Sequence, residues 1–251
     1  MSQATTQIMR RLAITEGRDI LTDNSHLALS WNPIQLKRRM NALVEAVQST
    51  FASTPMNNTR LLGKLEKWLE DIRYIQNSFQ RIEENLIPFL QDVLNVRFQN
   101  HELFLVAMFQ PSTKNIFLEI DTHYRNSNED LLGQDEFAQM INLSEMAKVL
   151  ALVGDAVISS AVLKHLWKPH LGDAGKITLR KAEIVSNENM AKLCDKWDLY
   201  NYRIHFDPDT PSKSEINHDK GTLIEAIYGI IYIEHEYKRV VDLVKHLISI
   251  Q

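Results

Sequence analysis

One segment decides how this chain can fold: Lys148-Val149-Leu150-Ala151-Leu152-Val153-Gly154-Asp155-Ala156-Val157-Ile158. It lies in a longer apolar stretch whose positions Met146, Val149, Leu150, Val153, Val157, Ile158, Ala161, Val162 and Leu166 recur at steps of three and four. That spacing predicts a helix from about Ser144 to Trp167, with Asn142, three residues before Glu145, opening a capping box. Two residues interrupt the apolar logic. Gly154 costs about 1 kcal/mol against Ala inside a helix, so its presence predicts close backbone packing. Asp155 puts a carboxylate into an apolar run, where it needs a partner, a proton or a metal.

The rest of the chain supports an all-α reading. No alternating strand pattern survives, and only eight glycines are present in 251 residues. Residues 1–30 are polar and aperiodic, a loosely ordered arm with room for one short helix. Asn32-Pro33 is expected to open a helix bearing Leu36, Met40, Leu43, Val44, Val47 and Phe51 on one face, closed by Ser53-Thr54-Pro55. Next comes the most regular stripe in the chain, Leu61, Leu65, Trp68, Ile72, Ile75, Phe79, Ile82 and Leu86. It predicts a helical hairpin with the preceding helix, or a coiled coil with a partner chain through 61–86. His101–Phe109 reads as a short helix and 111–142 as an irregular charged connection. A turn at Gly172–Gly175 leads to a helix over about 177–197. Asp207-Pro208-Asp209-Thr210-Pro211 marks a surface loop, and helices over about 219–235 and 237–250 close the chain.

Charge narrows the function classes. A net charge of −4 excludes an overall basic field, so any nucleic-acid contact must be local. Residues 1–88 carry 11 Lys and Arg against 9 Asp and Glu, which suits packing rather than an RNA-grabbing tail. The single Cys194 excludes an intramolecular disulfide and a Cys-cluster zinc site, and fits a reducing compartment. No stretch reads as a membrane span or secretory signal, so the expected address is the cytoplasm or an organelle matrix, with no membrane partner.

Four segments in order resemble the ribonuclease III catalytic domain. Gly154-Asp155-Ala156-Val157 is similar to its signature helix, and Ile184-Val185-Ser186-Asn187-Glu188-Asn189-Met190-Ala191 to its "LVSNENLA" segment. Glu225-Ala226-Ile227-Tyr228-Gly229-Ile230-Ile231-Tyr232 is similar to its "EALIGAIY" helix, and Leu94–Phe98 with His101-Glu102-Leu103 more weakly to its opening. The resemblance implies an RNase III-like helical domain over 89–251, preceded by an N-terminal helical extension over 1–88. No double-stranded-RNA-binding domain is recognisable after it. It further implies a homodimer that hydrolyses double-stranded or structured RNA with Mg²⁺, or Mn²⁺ in its place, held by carboxylates. Oxygen ligands from one or two carboxylates plus substrate phosphate are the usual way Mg²⁺ is bound.

Carried over by position, the resemblance makes Asp155 and Glu225 the catalytic and metal-binding residues. Leu152, Asn187 and Asn189 fall at the dimer interface, with a structural role for the two asparagines as the alternative. Lys176, Arg180 and Lys181 are candidates for RNA phosphate, against the alternative of a solvated helix face. Three positions depart from the family's fuller acidic site: Ala151 and Thr222 where it has carboxylates, and Lys148 at a further acidic position. Ala151 and Thr222 are closer to the Mini-III branch, which processes ribosomal RNA precursors. Glu119 and Asp121 are candidates to replace the missing acids, and His218-Asp219 to assist a metal through water. The contrary reading makes Asp155 a salt-bridge partner of Lys148 in a catalytically degenerate protein that binds RNA or the ribosome without cleaving. A third reading makes the 61–86 stripe the working surface of a helical interaction module.

Overall fold

The computed structural model describes residues 29–126, 131–168, 173–206 and 211–250. The N-terminal arm, Gly172 of the expected turn and residues 207–210 of the expected loop lie outside them. Residues Pro33–Gln251 make up one unit and Met1–Asn32 another. Among the described residues every regular element is helical, and β pairing is confined to an isolated bridge between Phe109 and Ile204.

Helix α1 spans Leu36–Ser53. It begins later than Pro33 because the cap comes from elsewhere. Glu102 accepts the Ile34 and Leu36 backbone N–H groups at 2.6 and 2.9 Å, and Gln35 between them takes left-handed dihedrals. Helix α2 (Thr59–Arg81) runs through a π turn at Ile82–Leu86 into α3 (Ile87–Leu94). Pro88 explains the π turn: it lacks an N–H, and its ring would strike a carbonyl of an unmodified preceding turn. The boundary expected after residue 88 thus falls inside a continuous helical rod. The Leu65, Trp68, Ile72, Ile75, Phe79, Ile82 and Leu86 stripe is buried within the subunit. It is consumed by internal packing, which leaves no apolar seam there for a coiled-coil partner.

Helix α4 is His101–Ala107. The segment 111–142, expected to be irregular, carries α5 (Lys114–Asn126) and α6 (Gln134–Ile141). Ile116, Phe117, Ile120 and Tyr124 form the buried face of α5, and Arg38 and Arg39 reach Glu136 of α6 from α1. Helix α7 is Leu143–Leu166, within a residue of expectation, although Asn142 makes no side-chain cap.

By length and composition α7 could cross a membrane, a property the sequence reading did not credit. Here it is a core helix, burying Leu150, Gly154, Ile158 and Val162. The single helix expected over 177–197 is two, α8 (Ala174–Ile184) and α9 (Asn187–Lys196). Ser186 divides them, its hydroxyl accepting the Asn189 N–H. Helix α10 (Lys213–Leu243) starts from a capping box at Ser212 and Glu215, earlier than expected, and is broken at Glu236, where φ is 62°. A short α11, Lys245–Ile248, follows.

Candidate active site

The site forms where α7 crosses α10, and two glycines set the approach. A Cβ added at Gly154 would lie 1.7 Å from the Glu225 carbonyl oxygen, and one at Gly229 would lie 2.2 Å from that of Leu150. These are backbone atoms that no rotamer change can move, so only glycine allows the crossing. Close packing at Gly154, expected from the sequence, is therefore observed.

The crossing brings Asp155 of α7 near enough to Glu225 of α10 for the charge of one to act on the other. Asp155 is exposed and Glu225 is half-buried. Burial first, and then the charge of Asp155, push the Glu225 carboxyl up to about 7. Among the described residues no cationic side chain is ion-paired with either carboxylate. The acid held above its ordinary range is therefore Glu225.

Lys148 does not fill the gap. Its ammonium pairs with Glu145, one turn back on α7, at 2.8 Å, and not with Asp155. Ala151 is buried, and the Thr222 hydroxyl donates to the His218 carbonyl of its own helix at 3.1 Å. Glu119 and Asp121 do not complete the site. Glu119 accepts the Trp68 indole N–H at 3.2 Å and pairs with Lys64, and Asp121 pairs with Arg125. Asp219 lies 3.7 Å from Arg203. Among the described residues no group of three or more His, Cys, Asp or Glu side chains could hold an ion. Asp155 and Glu225 are the two acids at the crossing.

The other expected residues scatter. Lys176 and Arg180 are exposed on α8 and pair with Asp173 and Glu183, while Lys181 is half-buried. Leu152 is 69% exposed. Asn187 is exposed, and its amide lies 3.5 Å from Nδ1 of His218. Asn189 is 3% exposed and donates to the carbonyls of Ile184 and Leu247 at 2.8 and 3.0 Å. Its Nδ2 is used within the chain, while its buried Oδ1 has no hydrogen-bond partner among the described residues.

Sequence reasoning placed Leu152 at an interface by resemblance but missed the wider exposed apolar face of α7 to which it belongs. Val149, Leu152 and Leu163, with Trp167 just beyond the helix, are 59%, 69%, 43% and 67% exposed. At 100° per residue they fall within an arc of about 60°. The signal was present in the spacing, but a helix apolar on all sides hides which face is free.

The stretch of sequence that carries both acids is similar to known proteins. Residues 148–236 match the ribonuclease III domain. The Ribonuclease 3 proteins of Mus musculus and Homo sapiens are each 34% identical over 107 residues, covering 41% of this chain and 8% of theirs. Ribonuclease 3 of Zunongwangia profunda is 27% identical over 138 residues, 52% of this chain and 49% of its own length. The chain thus spans less than a tenth of the mammalian relatives and about half of that bacterial one. The matched domain runs from Lys148 through the break at Glu236 and contains both acids of the site.

Proposed function

We propose that this protein is a divalent-metal-dependent endoribonuclease that cleaves double-stranded or structured RNA. One observation carries the reading. Two acids seventy residues apart lie at a glycine-made helix crossing, near enough for one charge to act on the other, and among the described residues no cation of the protein is paired with either. Burial first, and then the charge of Asp155, disfavour the ionised form of Glu225. A hard divalent cation with oxygen ligands suits such a donor set, its remaining positions left to water and substrate phosphate.

Asp155 and Glu225 would hold the ion, Mg²⁺ or Mn²⁺. When bound, such an ion supplies Lewis-acid stabilisation of charge developing on the phosphoryl oxygens. Asp155, exposed, keeps one donor open to solvent and substrate; Glu225, half-buried, fixes the other against the helix crossing. The apolar face of α7 adjoins the Asp155 face and fits a second copy of this chain, which would bring two such sites together. With small residues at Ala151 and Thr222, the site is similar to that of the Mini-III branch, and ribosomal RNA precursors are the substrate class that likeness favours.

A second reading has its own support. With a donor set of only two, an RNase III-like fold that binds RNA or the ribosome without cleaving it is the alternative. Incubating the protein with long double-stranded RNA and Mg²⁺ or Mn²⁺, beside an Asp155→Asn variant, separates them. Metal-dependent cleavage abolished in the variant is the expected result. Binding without cleavage in both samples supports the alternative instead.

A further inference from the structure

Beside the acidic pair, α7, α10 and the turn after α4 enclose a cleft of about 170 Å³, with Phe109, Gln110, Ser144, Lys148, His218 and Leu223 among its lining. We propose that it receives one unpaired nucleobase of the RNA substrate; this rests on the ribonuclease reading above. Size argues first. The space is below the roughly 300–1,000 Å³ of sites for drug-sized ligands, so its occupant is a single ring rather than a larger molecule.

Chemistry argues next. Phe109 and Leu223 close the floor of the cleft, being 1% and 2% exposed, and exposed Pro111 gives it an apolar wall. Ser144 is 5% exposed, and its hydroxyl has no hydrogen-bond partner among the described residues. Its oxygen is not sealed from water, so it opens on the cleft, where a ligand group can replace that water. The Gln110 side chain is likewise without a partner there and can both donate and accept. Apolar walls with donor–acceptor groups at one end match the faces and edge of a base.

A phosphate fits less well. Lys148 already pairs with Glu145, and Asp219 adds a carboxylate to the lining. Position also suits a substrate strand. On α7 the lining ends at Lys148, seven residues before Asp155, which is roughly 10 Å along the helix axis, a few nucleotides of strand. On α10 it runs from His218 to Leu223 and ends within a turn of Glu225.

The test uses two RNA hairpins in Ca²⁺, identical except that one carries a single unpaired 2-aminopurine near the middle of the duplex. The 251-residue chain is expected to bind the bulged RNA roughly fivefold to tenfold more tightly than the paired one, with a change in 2-aminopurine emission. Ser144→Ala and, independently, Gln110→Leu should each reduce that affinity to the paired level and abolish the emission change, while cleavage of paired RNA in Mg²⁺ persists. Equal affinities or unchanged emission overturn the proposal; if paired RNA is still cleaved, the nuclease reading stands without it. Failure to bind either RNA overturns both.

Discussion

Gly154 rests directly on the Glu225 peptide: where any other residue would place its Cβ, the Glu225 carbonyl oxygen is 1.7 Å away. The residue beside the first acid is thereby packed on the residue that carries the second. Fold and site share one contact. Gly154→Ala must separate α7 from α10 or bend one of them. It should cost about 3 kcal/mol or more, at the upper end for overpacking, because the obstacle is backbone. Gly229→Ala, facing the Leu150 carbonyl at 2.2 Å, should behave alike. Chemical denaturation of both variants measures this, with metal-dependent RNA cleavage lost in parallel.

The Glu225 carboxyl gives stability a pH dependence whose sign is fixed. Its folded value of about 7 lies above the ordinary 4.5, so between those values the folded state holds a proton that the unfolded state has released. Stability therefore falls as pH rises from about 4.5 through 7, and the loss is complete above it. Glu225→Gln removes the effect. Without divalent ions it should be more stable than the parent at pH 8, on the order of 1 kcal/mol after discounting for partial solvent exposure, and no more stable at pH 4. Denaturant melts at the two pH values decide it. Mg²⁺ should narrow the pH 8 difference by stabilising only the parent.

The site was legible in part, and the reasons are physical. Gly154 and Asp155 announce themselves because each opposes its surroundings in an apolar helix. Glu225 could be named only by resemblance, since nothing in local spacing links residues seventy apart. That Glu225 rather than Asp155 would be the desolvated acid depends on how two helices cross, which periodicity does not encode. The partner of Lys148 was readable: Glu145 lies at i−3 on the same surface, nearer than Asp155 two turns away. Helix α5 was missed because Glu119 and Asp121 interrupt Ile116, Phe117, Ile120 and Tyr124, so charge obscured a sound 3.6-residue period. The Leu61–Leu86 stripe has the same pattern whether it packs on its own chain or another, and only the surrounding subunit decides.

Leu152 tests the apolar face of α7. Its side chain is 69% exposed, so replacing it removes little packing within the subunit. Leu152→Glu should leave the melting temperature of the isolated subunit nearly unchanged, as exposed substitutions do. If the face joins two copies, an acid at its centre is desolvated without a partner and should weaken association at least tenfold. Sedimentation velocity across a concentration series reads this directly. A parent protein that stays monomeric throughout would remove the dimer from the proposal.

Asn189 separates internal scaffolding from assembly. Its amide nitrogen bridges the Ile184 carbonyl at the end of α8 and the Leu247 carbonyl of α11, holding the chain terminus against the turn that starts α9. Asn189→Ala leaves two buried carbonyls without that donor, each worth about 1–3 kcal/mol when unmet. Asn189→Asp is worse, since it presents a carboxylate oxygen to an acceptor in a buried position. Both should unfold at markedly lower denaturant, aspartate lowest. At native temperature, any shift in self-association should only track the unfolded fraction. A variant that stays fully folded yet dissociates would place Asn189 at a subunit interface after all, and sedimentation combined with circular dichroism on the same samples distinguishes the two.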